Sequence, residues 1–192
     1  RYLSIDKINS VKTPTPILDV PQSLSILTAE QVEDQAFMSM GDVIRYTPGV
    51  AISQGEGHRD AMIIRGIQTT ADFFVDGVRD DVQYYRPLYN VQQVEILRGS
   101  NALLFGRGGG GGVVNRVQKQ GELERDFTRL NAGVDTFGAW TGAIDTNKVV
   151  NDRVALRFNG YYHDMENHRD FFSGEAFALN PTMTVAFTER TK

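Results

Sequence analysis

Apolar and polar residues alternate most strictly between Arg153 and His163. Val154, Leu156, Phe158, Gly160 and Tyr162 fall on one side, and Arg153, Arg157, Asn159, Tyr161 and His163 on the other. A period of two is that of a strand with one apolar face. The same pattern sets Leu130, Ala132 and Val134 against Arg129 and Asn131 within Thr128–Val134. It sets Trp140, Gly142 and Ile144 against Thr141 and Asp145, and it returns in Phe177, Leu179, Pro181, Met183 and Val185. Turns are expected at Phe137–Gly138, at Asn147–Asp152, across the polar segment Asp164–Ser173 and in Thr188–Lys192. Four antiparallel strands of about ten residues each are therefore predicted. They follow a charged linker, Gln120–Asp126.

Before that linker the pattern is mixed. Arg1–Asp19, with Pro14 and Pro16, reads as an extended N-terminal segment. Leu24–Ile26 alternates as a short strand, and Thr28 is placed to cap a helix from Ala29 with Gln31 at the capping-box position. Ser39 is placed to cap a second helix through Asp42, Val43 and Tyr46, which Pro48-Gly49 stops. Strands are predicted at Val50–Ser53 and Ala61–Arg65, separated by the polar loop Gln54–Asp60. Gln68–Thr70 reads as a second polar turn. Phe73-Phe74-Val75 runs into Asp76-Gly77, a hairpin signal with Val78 on the return. Asp80 and Asp81 read as a solvated turn opening the tyrosine-rich stretch Asp80–Tyr89. A β-prone run through Val94 and Ile96, a helix-like piece Asn101–Phe105, the glycine run Gly106–Gly112 and a strand Val113–Val117 complete this half.

Composition narrows the chemistry. Apolar residues make up 41% of the 192, enough for a core, and the net charge of −4 is a poor footprint for nucleic acid. Cysteine is absent and histidine occurs three times, so thiolate metal sites and cysteine nucleophiles are excluded. No apolar run reaches the ~18 residues of a spanning helix, but barrel strands give a much weaker signal. Arg1 is not followed by a basic-then-apolar leader, so a signal peptide is expected to have been removed or to lie outside the chain. Gly106, Gly108 and Gly111 meet a G-x-G-x-x-G spacing, but strand-forming valines follow where a dinucleotide site needs a helix, and no Gly-Lys-Ser/Thr is present. No G-x-S-x-G, H-E-x-x-H or ordered triad occurs, and an enzyme is not expected.

Some residues keep two readings. Tyr84, Tyr85 and Tyr89 with Arg86 either cover a core edge or form a binding apex, where amphipathic rings give large contact area for little entropy. His58 has no second ligand at metal spacing. It is either solvated or, with Arg59, a hydrogen-bonding group. Arg65 and Arg98 each precede a glycine and suit a solvated strand end. The four alternating strands fit a soluble antiparallel sheet as well as a lipid-facing barrel wall, with Phe127, Trp140 and Tyr162 near strand ends, where a barrel carries its aromatic girdles.

Four ordered segments carry a resemblance. Val94–Gly99 (VEILRG) with Leu103–Val117 (LLFGRGGGGGVVNRV) resembles the end of the plug domain of TonB-dependent outer-membrane receptors, in particular the siderophore-receptor branch. Val20–Val32 (VPQSLSILTAEQV), Asp42–Val50 (DVIRYTPGV) and Ile63–Asp81 (IIRGIQTTADFFVDGVRDD) agree in order and spacing. The chain departs from the family at Ser100 and in the glycine run, where proline often stands. The resemblance implies an α+β plug domain, a small mixed sheet with short helices, followed by antiparallel strands of a transmembrane β-barrel. It divides the chain into residues 1–19 as N-terminal segment, 20–119 as plug and 120–192 as the first four barrel strands. A plugged barrel needs about 22 strands, so the chain is expected to be a fragment.

The resemblance further implies a receptor that binds a ferric siderophore and imports it with TonB-transduced energy. The expected setting is the bacterial outer membrane, with lipid around the barrel and a monomeric assembly. Three plug loops would touch the ligand, through Gln54, His58 and Arg59, through Gln68 and Thr69, and through Gln83, Tyr84, Tyr85 and Arg86. Arg65 and Arg98 would pair with acidic residues of the barrel wall and anchor the plug. The iron would arrive ligated by its siderophore, so no cofactor and no protein metal ligand are expected. No TonB box is recognisable here and it would lie upstream. Haem, cobalamin or a glycan as the imported solute, and a soluble β-rich binding module, are the alternatives.

Overall fold

The computed structural model describes residues 16–53, 59–69, 72–99, 105 and 111–187. The chain divides into two units, one ending at Gln118 and the other beginning at Lys119.

In the first unit, a short 3-10 turn (Ile17–Asp19) leads into β1 (Ser23–Thr28), α1 (Ala29–Asp34) and α2 (Met40–Arg45). Both helices begin where the sequence predicts. The Thr28 hydroxyl accepts from Gln31 N at 3.3 Å, and Ser39 forms a reciprocal capping box with Asp42. Each bond satisfies a backbone donor that the first helical turn leaves over. Removing that cap with Ser39→Ala is expected to cost about 1 kcal/mol. Faster hydrogen exchange confined to the α2 amides would register it.

Next come β2 (Val50–Ser53), β3 (Ala61–Ile64) and β4 (Ile67–Thr69), a three-stranded antiparallel sheet. The polar turn expected at Gln68–Thr70 is instead a strand up to Thr69. The reversal lies earlier, at Arg65-Gly66, where both residues have positive φ, 52° and 84°. Two such residues between Ile64 and Ile67, which pair directly, form the tight hairpin whose twist matches its strands.

The larger sheet has the order β1-β7-β8-β5-β6, with β5 (Phe73–Val75), β6 (Val78–Arg79), β7 (Val91–Arg98) and β8 (Gly112–Gln118). The β5–β6 hairpin turns at Asp76-Gly77 as the sequence predicts, again with two positive φ values, 48° and 79°. β8 runs antiparallel to β7 and parallel to β5, which makes the sheet mixed. The core packs Val32, Val43 and Ile44 of the helices against Met62, Ile64, Phe73, Val94, Ile96 and Val114. Phe105 closes a second cluster, edge-on to Phe74 with ring centroids 4.5 Å apart. The rest of the helix-like piece, and Gly106–Gly110, lie outside the described residues.

At Gly112 the backbone of β8 leaves no room for a side chain against β7. A Cβ there would stand 2.2 Å from the Leu97 carbonyl oxygen, and one at Gly111 2.5 Å from that of Ile64. Neither backbone oxygen can rotate away. Gly112→Ala is expected to push β7 from β8 and destabilise the unit by about 1–3 kcal/mol. Protease resistance of this unit in the full-length protein would report it.

The second unit is an antiparallel meander of β9 (Phe127–Val134), β10 (Trp140–Asn151), β11 (Val154–Glu166) and β12 (Ser173–Val185). The register sets Leu130 against Ile144, Ile144 against Gly160 and Gly160 against Leu179, so the predicted apolar positions share one face. The strands outrun their expected ends. β10 continues through Val149 and Val150 to Asn151, where a turn was expected from Asn147, and β11 and β12 leave only residues 167–172 as loop. Polar side chains at these ends suit strand ladders once neighbouring strands pair with them.

Candidate functional site

The loop from Asp80 to Arg86 is folded around its own last side chain. The Arg86 guanidinium is fully buried, with 0% exposure. Nη2 donates to the carbonyl oxygens of Asp80 at 3.1 Å and Val82 at 2.6 Å, Nη1 donates to that of Tyr84 at 3.1 Å, and Nε donates to Asp80 Oδ2 at 3.2 Å. The Phe73 ring lies 3.9 Å from the guanidinium carbon and the Tyr84 ring 4.4 Å. A planar fork with five donors can gather three carbonyls in this way, whereas a point charge cannot. Burial pulls Arg86 below its ordinary value, opposed by the Asp80 charge.

The Arg86 side chain, expected at the ligand, is turned inward: each of its described side-chain hydrogen bonds goes to the loop itself. Tyr84 is also turned inward. Its hydroxyl donates to Asp80 Oδ2 at 2.7 Å and accepts from Arg116 Nη2 at 2.7 Å, and burial raises its pKa. Asp80, expected in a solvated turn, instead receives three donors on one oxygen, because Arg116 Nη2 reaches it at 2.5 Å. Asp81, Val82 and Gln83 form the exposed crest.

Asp60 fastens this loop to the preceding one. Its Oδ2 accepts from Arg86 N at 2.9 Å, and its own N donates to the Tyr84 carbonyl at 3.2 Å. The side chain is fully buried and Oδ1 has no partner among the described residues. Burial pushes its carboxyl up, against the Arg86 N–H bond and the charges of Arg86 and Arg116. At the surface, Arg59 Nη1 donates to Gln83 Oε1 at 2.6 Å, so two of the three predicted ligand loops meet at this pair. Tyr85 is half-buried beside it in sequence, and Gln68 is exposed on β4. Thr69 ends β4, and Gln54 and His58 lie outside the described residues.

Of the two predicted anchors, Arg65 is exposed in the β3–β4 turn. Arg98 is half-buried and already bonded within the unit, Nε to Ser23 Oγ at 3.1 Å, Nη1 to the Pro48 carbonyl at 3.0 Å and Nη2 to Ser25 Oγ at 3.0 Å. These partners are neutral, so the described bonds leave its charge uncompensated. Deeper in the sheet, Glu95 is fully buried and accepts from Gln93 Nε2 at 2.6 Å and Asn115 Nδ2 at 3.1 Å, while Asn115 Oδ1 accepts from Gly77 N. Among the described residues, no three His, Asp or Glu side chains converge to hold a metal.

The second unit carries a polar cluster that the charged linker did not foretell. Residues 119–126 lie along the polar face of β10 and β11. Arg157 forks onto Asp145 with two bonds of 2.7 Å, and also donates to the Gln120 carbonyl at 3.0 Å and Glu122 Oε1 at 3.1 Å. Lys119 Nζ pairs with Asp145 Oδ2 at 3.0 Å. Asn147 accepts from Glu122 N and donates to the carbonyls of Glu122 and Arg125, all within 2.9 Å. Asp126 pairs with Lys148 and accepts from Val149 N. Phe127, expected in an aromatic girdle, lies on this polar face with the guanidinium carbons of Arg125, Arg129 and Arg157 5.0–5.2 Å from its ring. Trp140 and Tyr162 do share the apolar face, 4.7 Å apart.

A small mixed sheet with short helices, an apical loop built on a buried arginine, and hairpins with one apolar face define a plug module running into barrel-type strands. The chain belongs to the family of the TonB-dependent receptor plug domain, whose model matches residues 16–113, just over half of it. The probable TonB-dependent receptor BfrD of Bordetella pertussis is 34% identical over 80% of this chain and 21% of its own length. The probable TonB-dependent siderophore receptor PiuA of Acinetobacter baumannii is 30% identical over 85% of this chain and 22% of its own. The crystal structure of the siderophore receptor PiuA from Acinetobacter baumannii matches with a TM-score of 0.86 and 26% identity, covering 96% of this chain and 27% of that one. The chain thus spans roughly a fifth of the length of the curated relatives it matches.

Proposed function

We propose that the full-length protein is an outer-membrane receptor that captures a ferric siderophore and imports it with energy delivered through TonB. The observation that carries this reading is the continuity of the plug fold with strands whose central stretches keep one face apolar, through Leu130, Ile144, Gly160 and Leu179. Relatives named as catecholate siderophore and ferrioxamine B receptors support a siderophore as the ligand class. In this reading residues 1–19 are an N-terminal segment, 20–119 the plug and 120–192 the first barrel strands. The protein acts as a monomer among outer-membrane lipids, and transport rather than catalysis is its work.

The ligand-contacting residues in this reading are Gln54, His58, Arg59, Gln68, Thr69, Gln83 and Tyr85, with Arg86 and Tyr84 shaping the 80–86 loop that carries Gln83 and Tyr85. The iron enters within its siderophore, so the chain supplies hydrogen bonds and aromatic surface rather than metal ligands. Arg98, whose described partners are neutral, and the exposed Arg65 are suited to meet carboxylates of the remaining barrel wall, since a part-buried cation is best held by an opposite charge.

The test is radio-iron uptake in receptor-deleted cells expressing the full-length gene, with ferric catecholates, hydroxamates and citrate, with and without an uncoupler. Uptake of one class that the uncoupler abolishes supports the reading and names the ligand chemistry. Surface expression without uptake of any class would reject it in favour of haem, cobalamin or a glycan.

A further inference from the structure

We propose that Arg116 is a positioning residue of this receptor: through Asp80 it ties the 80–86 loop to strand β8, so that a ligand seated on the crest also loads the sheet. The proposal rests on the receptor reading above.

The geometry separates two jobs. Arg86 shapes the loop from within, gathering the carbonyls of Asp80, Val82 and Tyr84. The described bonds of Arg116 go to none of those carbonyls. They go to Asp80 Oδ2 at 2.5 Å and to the Tyr84 hydroxyl at 2.7 Å. Arg116 itself projects from the strand held on both sides, by β7 and by β5. Its side chain is 7% exposed, Asp80 is the carboxylate that pairs with it among the described residues, and its Nε is buried without a hydrogen-bond partner.

A guanidinium in that position tolerates little further loss. If a ligand pressing on Asp81–Gln83 shifts Asp80, the charge-assisted bond to Arg116 lengthens, and a buried cation loses its counter-charge. The system avoids that cost when Arg116 and β8 move with Asp80. Loop displacement and strand displacement thereby become a single event. Removing Arg116 leaves the Arg86 frame, and hence the crest, in place while cutting this link. Removing Arg86 does the reverse and dismantles the crest.

The experiment uses the full-length receptor in outer membranes, with ferric dihydroxybenzoylserine and ferrioxamine B as radio-iron probes. Equilibrium binding is read on energy-depleted cells and saturated uptake on energised ones. Arg116→Met is expected to keep the dissociation constant within about threefold and to lower saturated uptake by about tenfold or more, a loss in turnover without a loss in ground-state binding. Arg116→Lys, which keeps the charge, should recover part of the uptake. A parallel fall in affinity and uptake, or unchanged uptake, in both variants overturns the proposal. Arg116→Lys also serves where Arg116→Met does not assemble, assembly being judged by the heat-modifiable migration of the barrel. Wild-type cells that bind neither probe and take up no ferric catecholate, hydroxamate or citrate reject the receptor reading itself, and the proposal with it.

Discussion

Arg86→Met is expected to weaken binding of the ferric ligand by more than about tenfold, because it takes away the template of the apical loop. The side chain of the variant fills much of the same volume but donates nothing. The donors to three carbonyl oxygens and one donor to Asp80 are lost together. Hydrogen bonds to a charged group contribute about 1.5–3 kcal/mol each, and losing one partner of a buried ionic cluster costs about 3–5 kcal/mol. The carbonyls beside the exposed crest can regain water, so about 3 kcal/mol for the loop is the figure we expect. Asp80 retains Arg116 and the Tyr84 hydroxyl, which confines the damage to residues 80–86. Arg86→Lys should fall between the two, since an ammonium cannot span all three carbonyls. Hydrogen exchange across Asp81–Tyr85 together with a binding isotherm measures both effects. Slow exchange and full affinity in Arg86→Met would mean that the Asp60 bonds alone hold the loop.

What was legible in the sequence was local or periodic. Thr28 and Ser39 cap their helices because a hydroxyl three residues before a backbone N–H can only serve a nearby donor. Asp76-Gly77 makes its hairpin because both residues accept the left-handed region. The alternation of β11 predicted its two faces residue by residue, since a one-residue slip would turn every apolar side chain to the wrong side.

The misreadings share another cause. Arg86 reads as surface chemistry because a cation in a tyrosine-rich polar stretch normally is, and nothing in the sequence marks the carbonyls that enclose it. Asp80 finds Arg116 across 36 residues, a partnership set by the order of strands rather than by spacing. The strand β4 was hidden by its polar residues, which the Arg65-Gly66 turn nevertheless folds back onto β3. Phe127 has the composition of a girdle residue, but its register opposite Asn147 puts it on the polar face among guanidiniums. The family resemblance supplied the plug. It could not show which aromatic and arginine residues turn inward, because that depends on this chain's own loop contacts.

Asp145→Asn should damage the second unit more than Arg157→Met, although the two residues form one ion pair. Asp145 serves two buried cations, taking the fork of Arg157 and the ammonium of Lys119. Replacing it with an amide takes this carboxylate from both cations, 3% and 7% exposed, and leaves Arg157 only the more exposed Glu122 among its described carboxylate partners. Replacing Arg157 removes one cation but keeps the Lys119–Asp145 pair, and Glu122, 29% exposed, can turn to water. Loss of one partner from such a pair costs about 3–5 kcal/mol, which we expect for Arg157→Met, with Asp145→Asn above that range. The linker should respond first. Its carbonyls at Gln120, Glu122 and Arg125 are held by Arg157 and Asn147. Hydrogen exchange of the Gln120–Arg125 amides and the temperature at which the full-length barrel loses its compact electrophoretic form would rank the variants. Asp145→Asn combined with Lys119→Met should recover part of the loss, because it withdraws one of the two cations that Asp145 serves. No recovery would show that Arg157 alone dominates the cluster, and equal single-variant effects would show that Lys119 contributes little to holding the linker on the strands.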